Sequence, residues 1–343
     1  MRILYVNSGV RLIHEAIDNY IWHALNKTEN EILTFDWLSR TELLESTFSH
    51  QHIPFDRNTL AQTIGDELIG VCARVQPDWV ITLHGGAILS QTIETIQTIL
   101  QIPCAVWLVD DPYEIKGSLQ YAPAYHMVFT VDGSATQFYR ERHINAHTLS
   151  LGFDPVAVRP HKHSILWDIS FVGTGFPSRL EFFGEMLPKL PELRWALFGQ
   201  QWNRLGTLPH LQVIERLVSP AEFQYIAQST IVNLNLHRAN DDASFFEGSI
   251  SQLVPSHPNN RTFELAGMAA FQLIDHRLAL SEYFSSDEII SFYPQEFVEL
   301  AKFWSDPRHS TARDEISQRA LVRATNEHTY DHRITTLISQ LKG

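Results

Sequence analysis

The run Asn260-Arg261-Thr262-Phe263-Glu264 places a cation and a carboxylate three residues apart at the start of a predicted helix. Asn259 or Asn260 can cap this helix with a side-chain oxygen. The free N–H groups of a helix N-terminus favour anions, Arg261 adds a positive charge for phosphate, and Glu264 can accept ribose hydroxyls. The run therefore predicts a nucleotide site. The structural alternative is a helix start stabilised by Glu264, with Arg261 as its ion-pair partner.

Strand and helix patterns alternate on both sides of this run. Short apolar segments predict strands at 3–6, 32–35, 78–83, 104–109, 127–131, 147–149, 168–172, 194–198, 213–216, 230–236, 271–274 and 288–291. Helical spacing is found at 12–25, 58–75, 88–100, 134–142, 177–187, 220–228, 295–304, 306–323 and 330–341. Such repeated units are typical of parallel sheets covered on both faces. The segment 152–167 has no period and two Xaa-Pro pairs, so it predicts a linker between two domains.

Ligands of open parallel sheets bind beyond the carboxyl ends of the strands, which makes the residues at those ends candidates. In the first half these are His84-Gly85-Gly86 and Asp110-Asp111; in the second half they are Gly173-Thr174-Gly175, Gly199-Gln200, His237-Arg238 and Asp275-His276. The turn at Gly173 and Thr174, with Arg179 in the first turn of the next helix, could bring backbone close to a diphosphate. The alternative is that glycine serves only the strand–helix turn.

Asp111 and His84 are the candidate proton acceptors, because both follow apolar strands. For Asp111 the alternative is a capped turn, and for His84 it is a histidine bonded to backbone. Paired carboxylates can bind a divalent metal, but no histidine or third carboxylate lies at ligand spacing in the sequence around Asp110. The pairs His161/His163 and His50/His52 also lack further ligands nearby, so no metal site is predicted.

The bulk composition excludes several classes of protein. The 343 residues include 44% hydrophobic and 19% charged residues, which suits two packed domains. A formal charge of −13 without a basic block argues against nucleic-acid or anionic-membrane binding. No apolar segment reaches membrane-spanning length, and Met1 begins a strand pattern instead of a secretory signal. Two cysteines, Cys72 and Cys104, predict buried free thiols and a cytoplasmic location.

In the order of its motifs, the sequence resembles GT-B glycosyltransferases, most closely the CgeB-like, or spore maturation protein-like, group. The motif at 260–264, followed by Ala266, Gly267 and the strand 271–275, resembles the donor-site segment of this fold. Further segments that resemble the group are Trp-Leu-Val-Asp-Asp-Pro at 107–112, Leu-Gly-Phe-Asp-Pro at 151–155, Phe-Val-Gly-Thr at 171–174, residues 280–293 and Glu-His-Thr-Tyr-Asp-His-Arg at 327–333. Nearly the whole chain is covered by the resemblance.

The resemblance implies an α/β protein with two Rossmann-like domains that face each other across a cleft. Residues 1–158 would form the acceptor domain and 159–326 the nucleotide-sugar domain, while the C-terminal helix at 327–343 would cross back to the N-terminal domain. The donor would be a nucleotide diphosphate sugar, with UDP-sugar favoured, and the acceptor a glycan, a protein or a small molecule. No cofactor or metal is implied, because helix N-termini and basic side chains neutralise the departing diphosphate.

The resemblance also implies roles for individual residues. Glu264 would bind the ribose hydroxyls, and Arg261 with the turn at Gly173 and Thr174 would meet the diphosphate. The full set of predicted donor-binding residues is Gly173, Thr174, Arg179, His237, Asn260, Arg261, Thr262 and Glu264.

One departure from the fold's usual pattern concerns the transferred sugar. Many relatives carry a second glutamate eight positions before the one matched by Glu264, and here that position is Ser256. The loop 237–258 offers Arg238, Asp241, Asp242 and Glu247 as candidate sugar contacts. The stereochemical course stays open, and two alternatives remain, namely a nucleotide-sugar epimerase and a nucleotide- or glycan-binding protein without catalysis.

Overall fold

The computed structural model describes residues 1–9, 15–239 and 253–343. The chain divides into two compact units, one formed by the described parts of 1–150, 253–255 and 334–343, and the other by 151–239 and 256–333. The division lies between Ser150 and Leu151, earlier than the predicted boundary after residue 158. A reason is that Phe153 forms a β-bridge with Thr329, which ties the start of the predicted linker to the second unit. Residues 334–343, at the C-terminal end of the last helix, group with the first unit.

The first unit contains a six-stranded parallel sheet in the order β2-β1-β3-β4-β5-β6. Its strands are β1 (Arg2–Val6), β2 (Glu31–Phe35), β3 (Trp79–Leu83), β4 (Cys104–Leu108), β5 (Met127–Thr130) and β6 (Ala146–Thr148). Its helices include α1 (Glu15–Asn26), α2 (Trp37–His50), α3 (Arg57–Val75), α4 (Ser90–Thr98), α5 (Ile115–Tyr121) and α6 (Gly133–Arg140). Every residue of β3 and β4 is buried, as expected for apolar runs in the centre of a sheet covered on both faces.

The second unit repeats the architecture with a different strand order, β12-β11-β10-β7-β8-β9. The strands are β7 (Trp167–Val172), β8 (Trp195–Phe198), β9 (Leu211–Ile214), β10 (Thr230–Asn235), β11 (Gln272–Asp275) and β12 (Ile290–Phe292). The helices are α7 (Pro177–Met186), α8 (Pro220–Gln228), α9 (Asn260–Gly267), α10 (Leu280–Tyr283), α11 (Phe297–Ser305), α12 (Ser310–Glu327) and the first turn of α13 (Tyr330–Leu341). Strands β7 and β10 are neighbours in the sheet but not in sequence. From β7 the strand order runs outward to β8 and β9, and from β10 it runs in the opposite direction to β11 and β12.

The predicted elements agree closely with the observed ones. Helices α8 and α13 have the predicted bounds, and Ser219 caps α8 in a reciprocal pair with Glu222. Helix α5 was not predicted, because its seven residues carry too little apolar periodicity. The beginning of the predicted helix at 12–25 lies outside the described residues. Both cysteines are buried free thiols, as predicted.

The helices were compared with the length and hydropathy that a membrane-spanning helix needs. None of the helices in 1–9, 15–239 and 253–343 is both long and apolar enough to cross a bilayer.

Candidate active site

The switch point of the second sheet lies between β7 and β10, where the chain leaves toward β8 on one side and toward β11 on the other. Loops that diverge from two neighbouring strand ends open a crevice, and open α/β sheets bind ligands there. Gly173 directly follows β7, and His237 follows shortly after β10. The structure therefore brings together two of the predicted donor-binding segments that are distant in sequence.

The turn after β7 is tightly packed against its neighbour strand. The carbonyl oxygen of Gly173 accepts a hydrogen bond of 2.8 Å from the indole of Trp202. Gly199 follows β8 with a φ of +133°, and a Cβ atom there would lie 2.1 Å from the Gly173 oxygen. Position 199 requires glycine because of this backbone conformation and because the Gly173 oxygen lies so close. The packing fixes the path of the Gly173–Thr174 backbone.

Arg179 connects the two sides of the switch point. Its guanidinium donates to the carbonyl of Thr174 at 2.9 Å and to that of Leu236 at 2.7 Å. The same group lies 5.0 Å from the ring centroid of Phe171. These two carbonyl contacts orient the guanidinium at the switch point. Arg179 thus lies beside the turn, and its contact with a diphosphate stays a prediction.

Helix α9 begins with a side-chain cap. The amide oxygen of Asn259 accepts hydrogen bonds from the backbone N–H of Thr262 at 3.1 Å and from its hydroxyl at 3.2 Å. Thr262 is fully buried, and its hydroxyl also accepts from Asn235 at 3.0 Å. These contacts give Thr262 a role in supporting the cap, whereas the sequence predicted a contact with the donor.

Arg261 and Glu264 lie on α9 as the spacing predicted. Arg261 donates from Nη1 to the carbonyl of Val172, the last residue of β7, and its guanidinium lies 4.2 Å from the ring centroid of Phe223. The helix start is therefore tied to the strand that leads into the Gly173 turn. Glu264 is only 7% exposed, so its carboxylate is shielded from bulk water.

His237 links the ends of β10 and β11 to the cap of α9. Its Nδ1 donates to Asp275 over 2.6 Å, and its Nε2 accepts from the backbone N–H of Asn259 at 3.0 Å. Burial lowers the pKa of His237, which the charge of Asp275 only partly offsets, so the ring is neutral and protonated on Nδ1. Burial alone would raise the pKa of Asp275, but its interactions with His237 and with the charge of Arg277 lower it to about 2.

A cavity of about 390 Å³ borders this network. Arg179, His237, Asp275 and Arg277 contribute to its wall, together with apolar groups such as Phe182. Charged groups beside apolar surface are common in small-molecule pockets, because a few polar contacts orient a ligand whose remaining surface is buried.

In the first unit, Asp111 is an internal acceptor of hydrogen bonds. Only 3% of the residue is exposed, and its carboxylate accepts from the hydroxyls of Ser118, Thr130 and Tyr139 at 3.2, 3.1 and 3.0 Å. Burial raises the pKa of Asp111 to about 7, although the three donors oppose the shift. A proton acceptor must reach the substrate hydroxyl, so the structure speaks against the predicted base role of Asp111 and gives it a packing role.

His84 belongs to a cluster with two carboxylates. Its Nε2 lies 3.4 Å from Glu114 and 3.9 Å from Asp110, and the ligand atoms of the three residues all lie within 4.8 Å of one another. The sequence-based statement that Asp110 has no histidine or third carboxylate near it is therefore wrong in three dimensions. Strands β3 and β4 are adjacent, so His84 and Asp110 end side by side although many residues separate them.

The tautomer of His84 bears on whether this cluster binds a metal. The backbone N–H of Gly86 donates to Nδ1 at 3.3 Å, so a neutral ring carries its proton on Nε2, which faces Glu114. A metal at Nε2 would require the proton to move to Nδ1, where it would meet the Gly86 N–H. In that tautomer the Nε2 proton is placed to form a hydrogen bond with Glu114.

Some candidate residues lie outside the described parts of the chain, and others were not singled out from the sequence. Asp241, Asp242 and Glu247, the candidate sugar contacts, are outside the described residues. Glu114 was missed, because its only sequence signal was its position after the Asp-Pro turn. Tyr330, whose hydroxyl contacts Asn260, was recognised only as part of a C-terminal motif.

Comparison with known proteins places these observations in a family context. The model of a family described as "Glycosyl transferase-like" matches residues 179–339. Spore protein CgeB of Bacillus subtilis (strain 168) is 26% identical over 316 residues, which is 89% of this chain and 88% of CgeB. The family match begins at Arg179 and contains the whole of α9.

Solved structures extend the likeness to the complete fold. HepE of Anabaena in complex with UDP-glucose has a TM-score of 0.63 at 12% identity, covering 100% of this chain and 99% of that one. Sucrose-phosphate synthase of Thermosynechococcus elongatus has a TM-score of 0.63 at 9% identity, covering 99% of both chains. UDP-GlcNAc 2-epimerase of Neisseria meningitidis bound to UDP-GlcNAc has a TM-score of 0.54 at 11% identity, covering 100% of both. Together these comparisons show that the chain has the GT-B fold and is similar to CgeB and, over residues 179–339, to glycosyltransferases.

Proposed function

We propose that this glycosyltransferase moves a hexose from a nucleotide diphosphate sugar, with UDP-sugar favoured, to an acceptor hydroxyl without a bound metal or other cofactor. The observation that carries the proposal is the meeting of Arg261, Arg179 and the capped start of α9 at the switch point of the second sheet. Two cations and a helix N-terminus beside a glycine turn form a suitable environment for a diphosphate.

The proposed chemistry is electrostatic stabilisation of the leaving group. As the bond from the sugar to the diphosphate breaks, negative charge grows on the diphosphate oxygens. Arg261 and Arg179 already lie at the turn before the donor binds, so little reorganisation is needed when this charge develops. Glu264 would hold the ribose hydroxyls and thereby fix the nucleotide relative to the helix start.

The proton acceptor is assigned to the cluster of His84, Asp110 and Glu114 in the first unit. His84, the predicted base, orients the carboxylates through its Nε2 proton, and the side chain of Asp110 is 36% exposed, so an acceptor hydroxyl can reach it. The acceptor would be a glycan, a protein or a small molecule bound by this unit, and a cytoplasmic location is part of the proposal.

The nature of the donor is supported by the relatives. HepE is described in complex with UDP-glucose, and the Neisseria meningitidis epimerase bound to UDP-GlcNAc. Both share only the fold with this chain, so they support a UDP-sugar as the first donor to test and leave the sugar open.

The first experiment is a thermal-shift screen of nucleotide diphosphates and their sugars, because a ligand that binds the native state raises the melting temperature. UDP-glucose and UDP-GlcNAc are expected to raise it in the wild type and to have less effect in Glu264→Gln. Glu45→Gln, an exposed change on α2, should respond like the wild type. The absence of any shift with every nucleotide would contradict the proposal.

A second measurement separates transfer from its alternatives. Release of free UDP from the stabilising donor is expected to be slow alone and faster with a mixture of sugar acceptors. Conversion of the donor into an isomeric UDP-sugar without acceptor would instead indicate an epimerase. Binding without either reaction would indicate a protein that has kept the site and lost catalysis.

A further inference from the structure

Tyr330 contacts the first residue of the proposed donor helix. Its hydroxyl donates a hydrogen bond of 2.9 Å to the amide oxygen of Asn260. Tyr330 begins α13, Asn260 begins α9, and both belong to the second unit. The tyrosine is only 1% exposed, whereas Asn260 is partly accessible. A buried side chain thus fixes the orientation of an accessible amide next to Arg261.

The backbone around Tyr330 is hydrogen-bonded to the segment around Phe153. The N–H of Tyr330 donates to the carbonyl of Phe153 at 3.0 Å, and the N–H of Phe153 donates to that of His328 at 3.1 Å. A Cβ atom on Gly152 would lie 2.7 Å from the His328 oxygen, so the two segments are in close contact. Because the backbone is fixed on both sides, the tyrosine hydroxyl has a defined position before any ligand binds.

His328 and Arg333 complete this support. The Nε2 of His328 donates to the carbonyl of Tyr283 at 2.8 Å, and its Nδ1 accepts from Arg333 at 3.0 Å. Burial lowers the pKa of His328 to about 4, so this hydrogen-bond pattern, which needs a neutral ring, persists at neutral pH. The ring of His328 also lies 5.6 Å from that of Phe263 on α9.

The hydrogen bond from Tyr330 determines which end of the Asn260 amide is available. An amide has one acceptor oxygen and an NH₂ group with two donors. Since the oxygen accepts from Tyr330, the NH₂ group is turned away from the hydroxyl. In residues 1–9, 15–239 and 253–343, no acceptor is hydrogen-bonded to the NH₂ group of Asn260. The accessible part of this side chain is therefore a donor of hydrogen bonds.

We infer that Tyr330 is a positioning residue that presents the NH₂ group of Asn260 to a diphosphate oxygen of the nucleotide sugar. The inference rests on the proposed function and adds to it a specific pair of residues. Without the tyrosine hydroxyl, the Asn260 amide can rotate and turn its oxygen toward the diphosphate. The partial negative charge of that oxygen would then repel the diphosphate. The orientation set by Tyr330 removes this unfavourable alternative before binding.

The first test needs no ligand. The side-chain NH₂ resonances of Asn260, assigned by their loss in Asn260→Asp, are compared between the wild type and Tyr330→Phe by NMR. We expect the resonances to shift, and the melting temperature to show that the variant is folded. Tyr225→Phe, which alters a half-exposed ring in the same unit, should leave them unchanged. Unchanged Asn260 resonances in Tyr330→Phe would overturn the inference.

The second test measures UDP affinity by calorimetry in the wild type, Tyr330→Phe, Asn260→Ala and the double variant. Loss of one oriented hydrogen bond is expected to weaken binding roughly five-fold in each single variant. The double variant should bind no more weakly than Asn260→Ala, because the hydroxyl acts only through the amide. Wild-type affinity in Tyr330→Phe, or additive losses, would overturn the inference alone. A wild type that does not bind UDP would overturn both the inference and the proposed donor.

Discussion

The carboxyl ends of the two sheets differ in charge although the sheets share one architecture. In the first unit the ends of β3 and β4 carry His84, Asp110 and Glu114. In the second unit Arg179 and Arg261 lie around the turn after β7. The path of the chain is common to both sheets, and we expect the side chains at the strand ends to select the ligand of each. Carboxylates suit hydroxyl groups, and arginines suit a diphosphate.

Strand order contributes to the same difference. In the second sheet the direction in which successive strands are added reverses between β7 and β10. In the first sheet it reverses between β1 and β3. In the second unit the arginines lie at the switch point itself, where the diverging loops leave room for a ligand. In the first unit the acidic cluster lies one strand further along, at the ends of β3 and β4.

The largest effect is expected from Arg261→Met, which removes a proposed contact with the diphosphate. We expect kcat/KM for the donor to fall by about 100-fold, the usual loss when one group that stabilises a transition state is removed. Arg308→Met in the same unit is the matched control, because the side chain of Arg308 is 84% exposed. Equal kinetics in the two variants would remove the contrast between the sheets.

Gly199→Ala tests the tight packing of the turn beside the proposed donor site. The new Cβ would clash with the Gly173 oxygen in a backbone conformation that disfavours alanine, so the free energy of unfolding should fall by about 3 kcal/mol. Gly184→Ala is the control, because a Cβ there meets open space within α7 and should stabilise the helix by up to about 1 kcal/mol. Chemical denaturation measures both free energies of unfolding, and equal stabilities of the two variants would contradict the close packing at Gly199.

Asp111→Asn tests the buried carboxylate of the first unit through pH. The folded pKa is raised to about 7, above its unfolded value, so the wild type loses stability as pH rises from about 4 to 7. The asparagine variant cannot ionise and should show a flatter dependence over this range. Denaturation at several pH values measures the effect, and a pH slope equal to that of the wild type would show that Asp111 does not titrate as proposed.

His328→Gln tests a group in the second unit whose effect on stability changes with pH in the opposite direction. The folded pKa is lowered to about 4, so stability is lost as pH falls from about 6.5 toward 4, where the unfolded chain binds the proton first. Replacement by glutamine should weaken this loss, while His163→Gln, at an exposed position, should keep it. The pair of variants at Asp111 and His328 would thus show two opposed pH slopes within one protein.

Metal addition and removal should have the smallest effect. Since the tautomer of His84 favours hydrogen bonding, EDTA is expected to leave transfer activity unchanged, and Mn²⁺ to leave the melting temperature unchanged. A rise in melting temperature with Mn²⁺ that disappears in Glu114→Gln would instead show that the acidic cluster binds a cation. In that case the first unit would bind a cation, in contrast to the anion proposed for the second unit.

Much of the fold was predictable from the sequence because its signals are local. The apolar runs of β3 and β4, the cap at Ser219 and the bounds of α13 each depend on neighbouring residues. The predicted donor motif also depends on local signals, since Asn259, Arg261 and Glu264 lie close together at the start of one helix. The predicted role of Thr262 was less accurate, because its burial depends on packing against another strand.

The sequence by itself determined the alternating elements, the glycine turn and the helix start with its cation and carboxylate. Only the tertiary structure decided which distant side chains meet. It placed His84 beside Glu114, buried Asp111 under three hydroxyls and connected Tyr330 to Asn260. The physical reason is that parallel pairing and helix packing join residues that are far apart in sequence, and burial then sets the protonation and accessibility of each group.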